Sequence, residues 1–230
     1  MSAPTTLAAP TWDGAPPPVG RRAVVVAPHP DDEVLGTGVL LRWLRSEGVA
    51  TTVLAVTDGE ASHRWSRCTT PDELRTVRAA ERRRALTVLG VAPAIERLGL
   101  PDGAVVEHED ALARVIEAAV DDATTLIAPW RHDGHPDHDA TGRAAARAAR
   151  RRGAALWEVA IWAAVRDGGA ARDGARALHP DPETQAAREA AAACFRSQLH
   201  PLGPHPEDGP VVHPHELAAM LAGPELVRVG

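Results

Sequence analysis

The 230-residue sequence contains no lysine, no asparagine and no tyrosine, and a single phenylalanine. Every basic side chain apart from histidine is therefore an arginine. With so much alanine, this bias reads as genomic composition rather than function. Cysteine is scarce too. Cys68 and Cys194 are the only two. They form no C-x-x-C pair and cannot build a disulfide framework, so a reduced, cytoplasmic setting is expected. Residues 1–20 lack the basic and apolar segments of a secretory signal, and no apolar run approaches the length of a membrane span. The formal net charge is −6, which argues against nucleic acid as a partner. Arginine runs at residues 82–84 and 150–152 fall in helical patterns and read as solvated helix faces. No G-x-G-x-x-G follows the first apolar strand, so the dinucleotide-binding fingerprint is missing.

What is present alternates between strand and helix. Residues 1–20 are rich in proline and read as a disordered or loosely docked tail. Residues 23–27 form an apolar β-branched strand, and residues 32–47 a helix ended by Gly48. Residues 51–56 form a second strand. Thr70 and Pro71 cap a helix that runs to Leu89, with Gly90 as its stop. Shorter strands are expected at 95–98, 126–128 and 156–165, and helices at 108–120, 140–151 and 182–195. Residues 199–214 read as a proline-rich loop, and 216–221 as a final helical turn or two. This order implies one α/β domain with a mostly parallel sheet and helices on both faces.

Two polar clusters fall at strand ends, where open α/β sheets place their chemistry. The first is Ala-Pro-His-Pro-Asp-Asp-Glu, residues 27–33. The second is Arg-His-Asp-Gly-His-Pro-Asp-His-Asp, residues 131–139. Four ionisable groups in five residues between apolar runs are costly to fold unless something binds them together. A divalent metal does so. Catalytic zinc sites use three His or carboxylate ligands and keep a position for water. One His and one Asp from the first cluster with one His from the second complete such a set. The bound water then loses its proton near neutral pH, a free carboxylate can act as general base, and an unligated His can stabilise an oxyanion. Either cluster alone has an ordinary explanation, since Asp caps helices and His-Pro is common in turns. Together they point to a metal hydrolase without naming its substrate.

The first cluster, followed by Leu-Gly-Thr-Gly, resembles the A-H-P-D-D-E signature of the PIG-L/LmbE-like family of zinc N-acetylglucosaminyl deacetylases. His135-Pro136-Asp137-His138 resembles that family's H-P-D-H motif. Thr57-Asp58-Gly59-Glu60, the Arg78-Ala79-Ala80-Glu81 helix, Leu100-Pro101-Asp102-Gly103 and Phe195-Arg196-Ser197-Gln198-Leu199 are also similar to family segments. The resemblance implies a Rossmann-like three-layer α/β/α domain (LmbE-like) over residues 21–230. It implies a Zn²⁺ enzyme, with Fe²⁺ or Co²⁺ as other ions such ligands accept, that removes an N-acetyl group from an N-acetylglucosamine-type sugar or glycoconjugate. His29, Asp32 and His138 would be the metal ligands and Asp31 the general base. His135 would stabilise the oxyanion or act as general acid, with Asp137 orienting it. Arg78 would contact the sugar or its aglycone, and Asp102 a sugar hydroxyl. Glu33 would support the site, and Asp58 and Glu60 would serve the turn. Members that act on the mycothiol precursor carry Tyr where this chain has Asp133, and an ionised Asp cannot donate there. Pro28 is an extra residue before the motif His and is expected only to shape the strand exit.

Two rival readings accompany this one: an amidase acting on a thiol conjugate or glycosylated natural product, and a non-enzymatic sugar- or nucleotide-binding α/β module. Assembly state is left open, a homo-oligomer included. His63, His108, His179, His200, His205, His213 and His215 read as surface or turn residues, while His132 lies within the second cluster. Trp43, Trp157 and Trp162 read as core, and Trp65 and Trp130 as residues of active-side loops.

Overall fold

The computed structural model describes residues 9–166 and 168–230. Among the described residues eight strands join into one sheet: β1 (Thr11–Trp12), β2 (Arg22–Ala27), β3 (Ala50–Ala55), β4 (Ala94–Arg97), β5 (Thr124–Pro129), β6 (Ala155–Ala160), β7 (Arg176–His179) and β8 (Glu225–Val229). Their order is β1-β7-β8-β6-β5-β2-β3-β4. The five strands β6-β5-β2-β3-β4 are parallel. The other pairings, at β8, β7 and β1, are antiparallel. From β2 the chain steps outward to β3 and β4, then returns to β5 on the other side of β2. The carboxyl ends of β2 and β5 therefore flank the point where the winding reverses, and a crevice opens there.

Strand β2 is central because both its faces are apolar. Val25 packs with Val53 and Ile127 on one face. Val24 and Val26 pack with Leu54 and Leu126 on the other. The first face is covered by α2 (Gly38–Ser46), α3 (Pro71–Leu89) and α8 (Pro182–Ala192), the second by α4 (Glu109–Ala119) and α5 (Pro136–Arg152). The domain is thus three-layered, with two cores. Helix α3 begins and ends where its capping residues predict. Thr70 accepts from the Glu73 amide in a capping box, and Gly90 closes the helix at φ 77°, a conformation suited to glycine.

Other elements depart from expectation. The helix expected over 32–47 is broken into α1 (Asp32–Leu35) and α2. A side chain at Gly36 would meet Ile161 at 2.4 Å. The break is held from outside. Glu225 of β8 accepts from the amides of Val39 and Leu40, each at 2.8 Å, and Arg188 of α8 donates to the carbonyls of Val34 and Leu35. The strand expected to reach residue 165 stops at Ala160, and a short helix, α6 (Trp162–Arg166), follows. A further short helix, α7 (Gly168–Arg172), and strands β7 and β8 were not anticipated.

The expected tail is docked where it is described; its first eight residues lie outside the described set. Trp12 is buried, with its ring edge-on to Trp43 and Trp157 at 5.5 and 5.6 Å. Its aromatic burial outweighs the proline content around it. Two short helices, α9 (Arg196–Leu199) and α10 (Pro214–Ala222), precede β8. Among the described residues no helix is long and apolar enough to cross a membrane.

Candidate metal and catalytic site

The exit of β2 is tied down by the neighbouring turn. The Pro28 carbonyl accepts from the amide and hydroxyl of Thr57, so the extra proline shapes the strand exit as expected. His29 follows, and its amide donates to Asp32 Oδ2 at 2.8 Å. On the other side of the crevice, His135 caps the start of α5, and His138 lies in that helix's first turn, fully buried. Helix α5 approaches the end of β5 closely because residue 142 is glycine. A Cβ there would lie 2.6 Å from the Pro129 carbonyl oxygen.

Three of the expected ligands meet. His29 Nδ1, Asp32 Oδ2 and His138 Nε2 form a triangle whose three edges are each 3.3 Å. The centre of such a triangle is about 1.9 Å from each corner, close to zinc–nitrogen and zinc–oxygen bond lengths. Each imidazole offers its lone pair there because its other nitrogen donates to a carboxylate. His138 Nδ1 is 2.8 Å from Asp133. His29 Nε2 is 3.1 Å from Asp137 and 3.3 Å from Asp102. Three acceptors thus converge with no donor between them, which suits a cation. The donor set fits a divalent ion.

Three further residues expected at the site make contacts within the protein. Asp137 turns its carboxylate to His29 and to the amides of Gly103 and Val105, not to His135. The helix start points that side chain inward, and only its backbone amide reaches His135 Nδ1, at 3.2 Å. Asp102 accepts from the Ala61 amide and faces His29. It lines the cleft, yet its first contacts are within the protein. Arg78 is 3 % exposed and bonds Asp31 at 3.2 Å together with the carbonyls of Gly59 and Pro30. Its guanidinium positions the expected base and lines the cleft as well.

One turn further along α3, Arg82 pairs with Glu33 at 3.1 Å, both buried. Arg82 is therefore not on a solvated face, whereas Arg150, Arg151 and Arg152 are exposed. Asp58 holds Arg97 with both oxygens, and Glu60 accepts from the Asp102 amide, so both serve the turns as expected. His63 lies in a turn, as one of its expected roles has it, but is buried and bonds the Gly209 carbonyl.

Environment divides the ionisable groups. Burial alone would lower both His29 and His138. Around His29 it is outweighed by hydrogen bonds to Asp102, Asp137 and Asp32, which hold the imidazole well above its usual value. Around His138 it is outweighed by the charge of Asp32 and the bond to Asp133, raising it to about 9. Burial would raise Asp32, but the charge and bonds of His138 and His29 hold it well below the usual carboxylate range. For Asp31, burial wins over the charge of Arg78 and lifts the carboxyl to about 7. For His135, burial and the charges of His138 and His29 push the imidazole down to about 4. With Nδ1 accepting from a backbone amide, His135 carries its proton on Nε2 as a neutral donor.

These groups open onto a cleft of about 100 Å³. His29, Asp31, Asp32 and His135 line its polar side. Leu35, Ile161, Trp162, Val211, Val212 and Met220 line an apolar side. Trp162 is thus at the cleft wall rather than wholly core, and Trp65 is 76 % exposed. The sequence reading missed Asp133 as the partner of His138. It also accepts from the amides of Ile161, Trp162 and Ala163. Its place in the second cluster was a usable signal. Nothing in the sequence marked the apolar wall.

A parallel α/β sheet with a His–Asp–His corner at its winding reversal is the architecture of the LmbE-like class. The family model for PIG-L, GlcNAc-PI de-N-acetylase, matches residues 24–149, more than half of the chain and all of the converging ligands. The chain belongs to this family. It is 31 % identical over 137 residues to a probable N-acetyl-alpha-D-glucosaminyl L-malate deacetylase 2 of Bacillus cereus, covering 57 % of this chain and 62 % of that protein. It is 30 % identical over 189 residues to the 1D-myo-inositol 2-acetamido-2-deoxy-alpha-D-glucopyranoside deacetylase of Mycolicibacterium gilvum, covering 70 % and 65 %. The matches therefore span somewhat less than two thirds of these relatives' lengths. Among solved structures, the A40926 pseudoaglycone deacetylase Dbv21 superposes with a TM-score of 0.62 at 25 % identity, covering 91 % of this chain and 97 % of that one.

Proposed function

We propose that the protein is a metal-dependent N-deacetylase acting on an N-acetylglucosamine-type sugar or glycoconjugate, a small-molecule substrate. The 3.3 Å triangle of His29, Asp32 and His138 carries this reading, because Asp31 and His135 open onto the same cleft. Those three residues would hold the ion, Zn²⁺ first and Fe²⁺ or Co²⁺ as alternatives. When bound, it supplies Lewis acidity to the amide carbonyl and acidifies a water.

Asp31 accepts the proton of the attacking water. A base poised near neutrality suits that task, and Arg78 fixes the orientation of its carboxylate. His135 donates from Nε2 to the oxygen that gains charge as the carbonyl becomes tetrahedral. Asp31 then returns its proton to the departing nitrogen. The products are acetate and a free amine. Asp133 and Asp137 act one step back, by fixing the two ligand imidazoles.

Arg78 and Asp102, expected as substrate contacts, keep that role only at the edge of the cleft; their protein contacts favour positioning. The family relatives named for N-acetylglucosaminyl substrates support the sugar. The apolar cleft wall, and the likeness to a pseudoaglycone deacetylase, favour a second reading: an amidase on a larger glycosylated natural product. Both cysteines are free, which supports the cytoplasmic expectation.

A panel of free, disaccharide, inositol-linked and natural-product-linked N-acetylglucosaminides tests this. The reading expects amine release that is abolished by chelator and restored by added ion. No release from any of them in the metal-loaded protein would overturn it.

A further inference from the structure

Behind the active cleft lies a second, smaller chamber of about 60 Å³. Leu35, Ile161 and Met220 line both cavities, so a single layer of side chains separates them. Met220 is unbranched and adaptable, the kind of side chain that can swing aside. The chamber's inner wall carries Arg188 and Glu225, 2 % and 3 % exposed. Its outer side carries Arg172 and Ala219, both exposed. The chamber thus lies between the cleft and the surface.

Its charge balance is unusual. Arg188 is almost wholly buried, yet its Nη1 has no hydrogen-bond partner among the described residues. Nε and Nη2 are engaged by the carbonyls of Val34 and Leu35. Glu225 offsets part of this charge through an ion pair with Nη2, but it does not reach Nη1. Its oxygens are taken by the amides of Val39 and Leu40, and it stands 3.7 Å from Arg188 Nη2. A buried guanidinium with a free N–H is costly, and a carboxylate is its natural complement. The chamber has room for about two waters by their share of liquid volume, which is also about the size of a two-carbon carboxylate.

We propose that this chamber is a binding site for a small carboxylate anion of the acetate class, on a rear exit path for the acyl product, with Arg188 Nη1 as its donor and Met220 as the movable partition. The product role rests on the deacetylase reading; the anion site does not. Arg172, at the outer mouth, draws the anion outward. The amine product, attached to its sugar, is too large for this route and leaves by the open cleft.

The test is titration of ¹³C-labelled acetate into the metal-loaded enzyme, followed by NMR, for wild type, Arg188→Gln and Ala219→Trp. Two binding events are expected in wild type, one at the ion and one in the chamber. The second weakens by about tenfold or more in Arg188→Gln, the loss of one charge-assisted bond. Ala219→Trp plugs the mouth from an exposed position without touching the guanidinium, so it reads the site even if Arg188→Gln does not fold. A single event in wild type, or two events unchanged in both variants, would overturn the proposal. Amine release from an N-acetylglucosaminide, measured on the same preparations, tests the deacetylase reading separately.

Discussion

His135 and His138 lie three residues apart at the start of one helix, yet the protein treats them in opposite ways. His138 is fully buried and backed by the Asp133 carboxylate. His135 is half-buried and backed by a backbone amide. The first imidazole is raised to about 9 and the second lowered to about 4. A carboxylate behind an imidazole makes it a stronger base and a better ligand. An N–H behind it uses the same lone pair and leaves a neutral donor. The two carboxylates of the first cluster divide in the same way. Asp32 faces two imidazoles and stays ionised, while Asp31 faces one guanidinium in a buried position and rises to about 7. The site thus has a corner built to hold a cation and a corner built to move a proton.

Breaking the cation corner has the largest effect. His138→Ala removes one of three ligands, and the account expects both bound metal and turnover to be lost. Metal analysis by mass spectrometry checks this; unchanged metal content would remove His138 from the ligand set.

Changes to the proton corner should spare the metal. Asp31→Asn is expected to lower kcat by about 10²–10⁴-fold, the range for general-base loss. His135→Phe should lower kcat by about 10²–10³-fold with little change in KM, as for a lost oxyanion donor. A rise in KM with kcat unchanged would make His135 a substrate contact instead.

Proton counting sharpens the contrast. At pH 7 the metal-free corner holds an extra proton on His138, which is raised to about 9. Ion binding must displace it, so titration calorimetry in buffers of different ionisation enthalpy should show proton release on binding the ion. The stabilisation His138 gains from its proton is complete below its usual 6.5 and is lost as pH rises through about 9. Metal-free protein should therefore lose thermal stability over that range, and added ion should flatten the curve. A flat curve without metal would contradict the raised value.

The smallest effects belong to the carboxylates behind the ligands. Asp133→Asn should weaken metal binding by about 10–100-fold. Asp137→Asn should cost less, because Asp102 also faces His29 Nε2. Equal losses would show that Asp102 gives no cover.

How far the sequence could reveal this follows the same division. Local chemistry was legible. Thr70, Pro71 and Gly90 marked α3 because caps are short-range, and the two clusters marked β2 and β5 because the motif sits where a strand ends. Contacts between distant segments outside the two motifs were not. The break at Gly36 depends on Ile161, Arg188 and Glu225, more than 120 residues away. Trp12 docks through partners on β7 and in the core, so a proline-rich segment that looked loose is held. Asp137 was assigned to its sequence neighbour His135, but the helix turns its carboxylate toward His29 across the crevice. The apolar cleft wall takes Ile161, Trp162, Val211, Val212 and Met220 from segments far from Leu35 in sequence.

The central claim is that two adjacent aspartates have different work: Asp32 holds the ion and Asp31 does not. Metal content and turnover of Asp31→Asn, measured together on one preparation with an N-acetylglucosaminide substrate, test it most directly. The account predicts one ion per chain, as in wild type, with turnover reduced by at least about a hundredfold. Loss of the ion, or turnover at the wild-type rate with the ion in place, would contradict it.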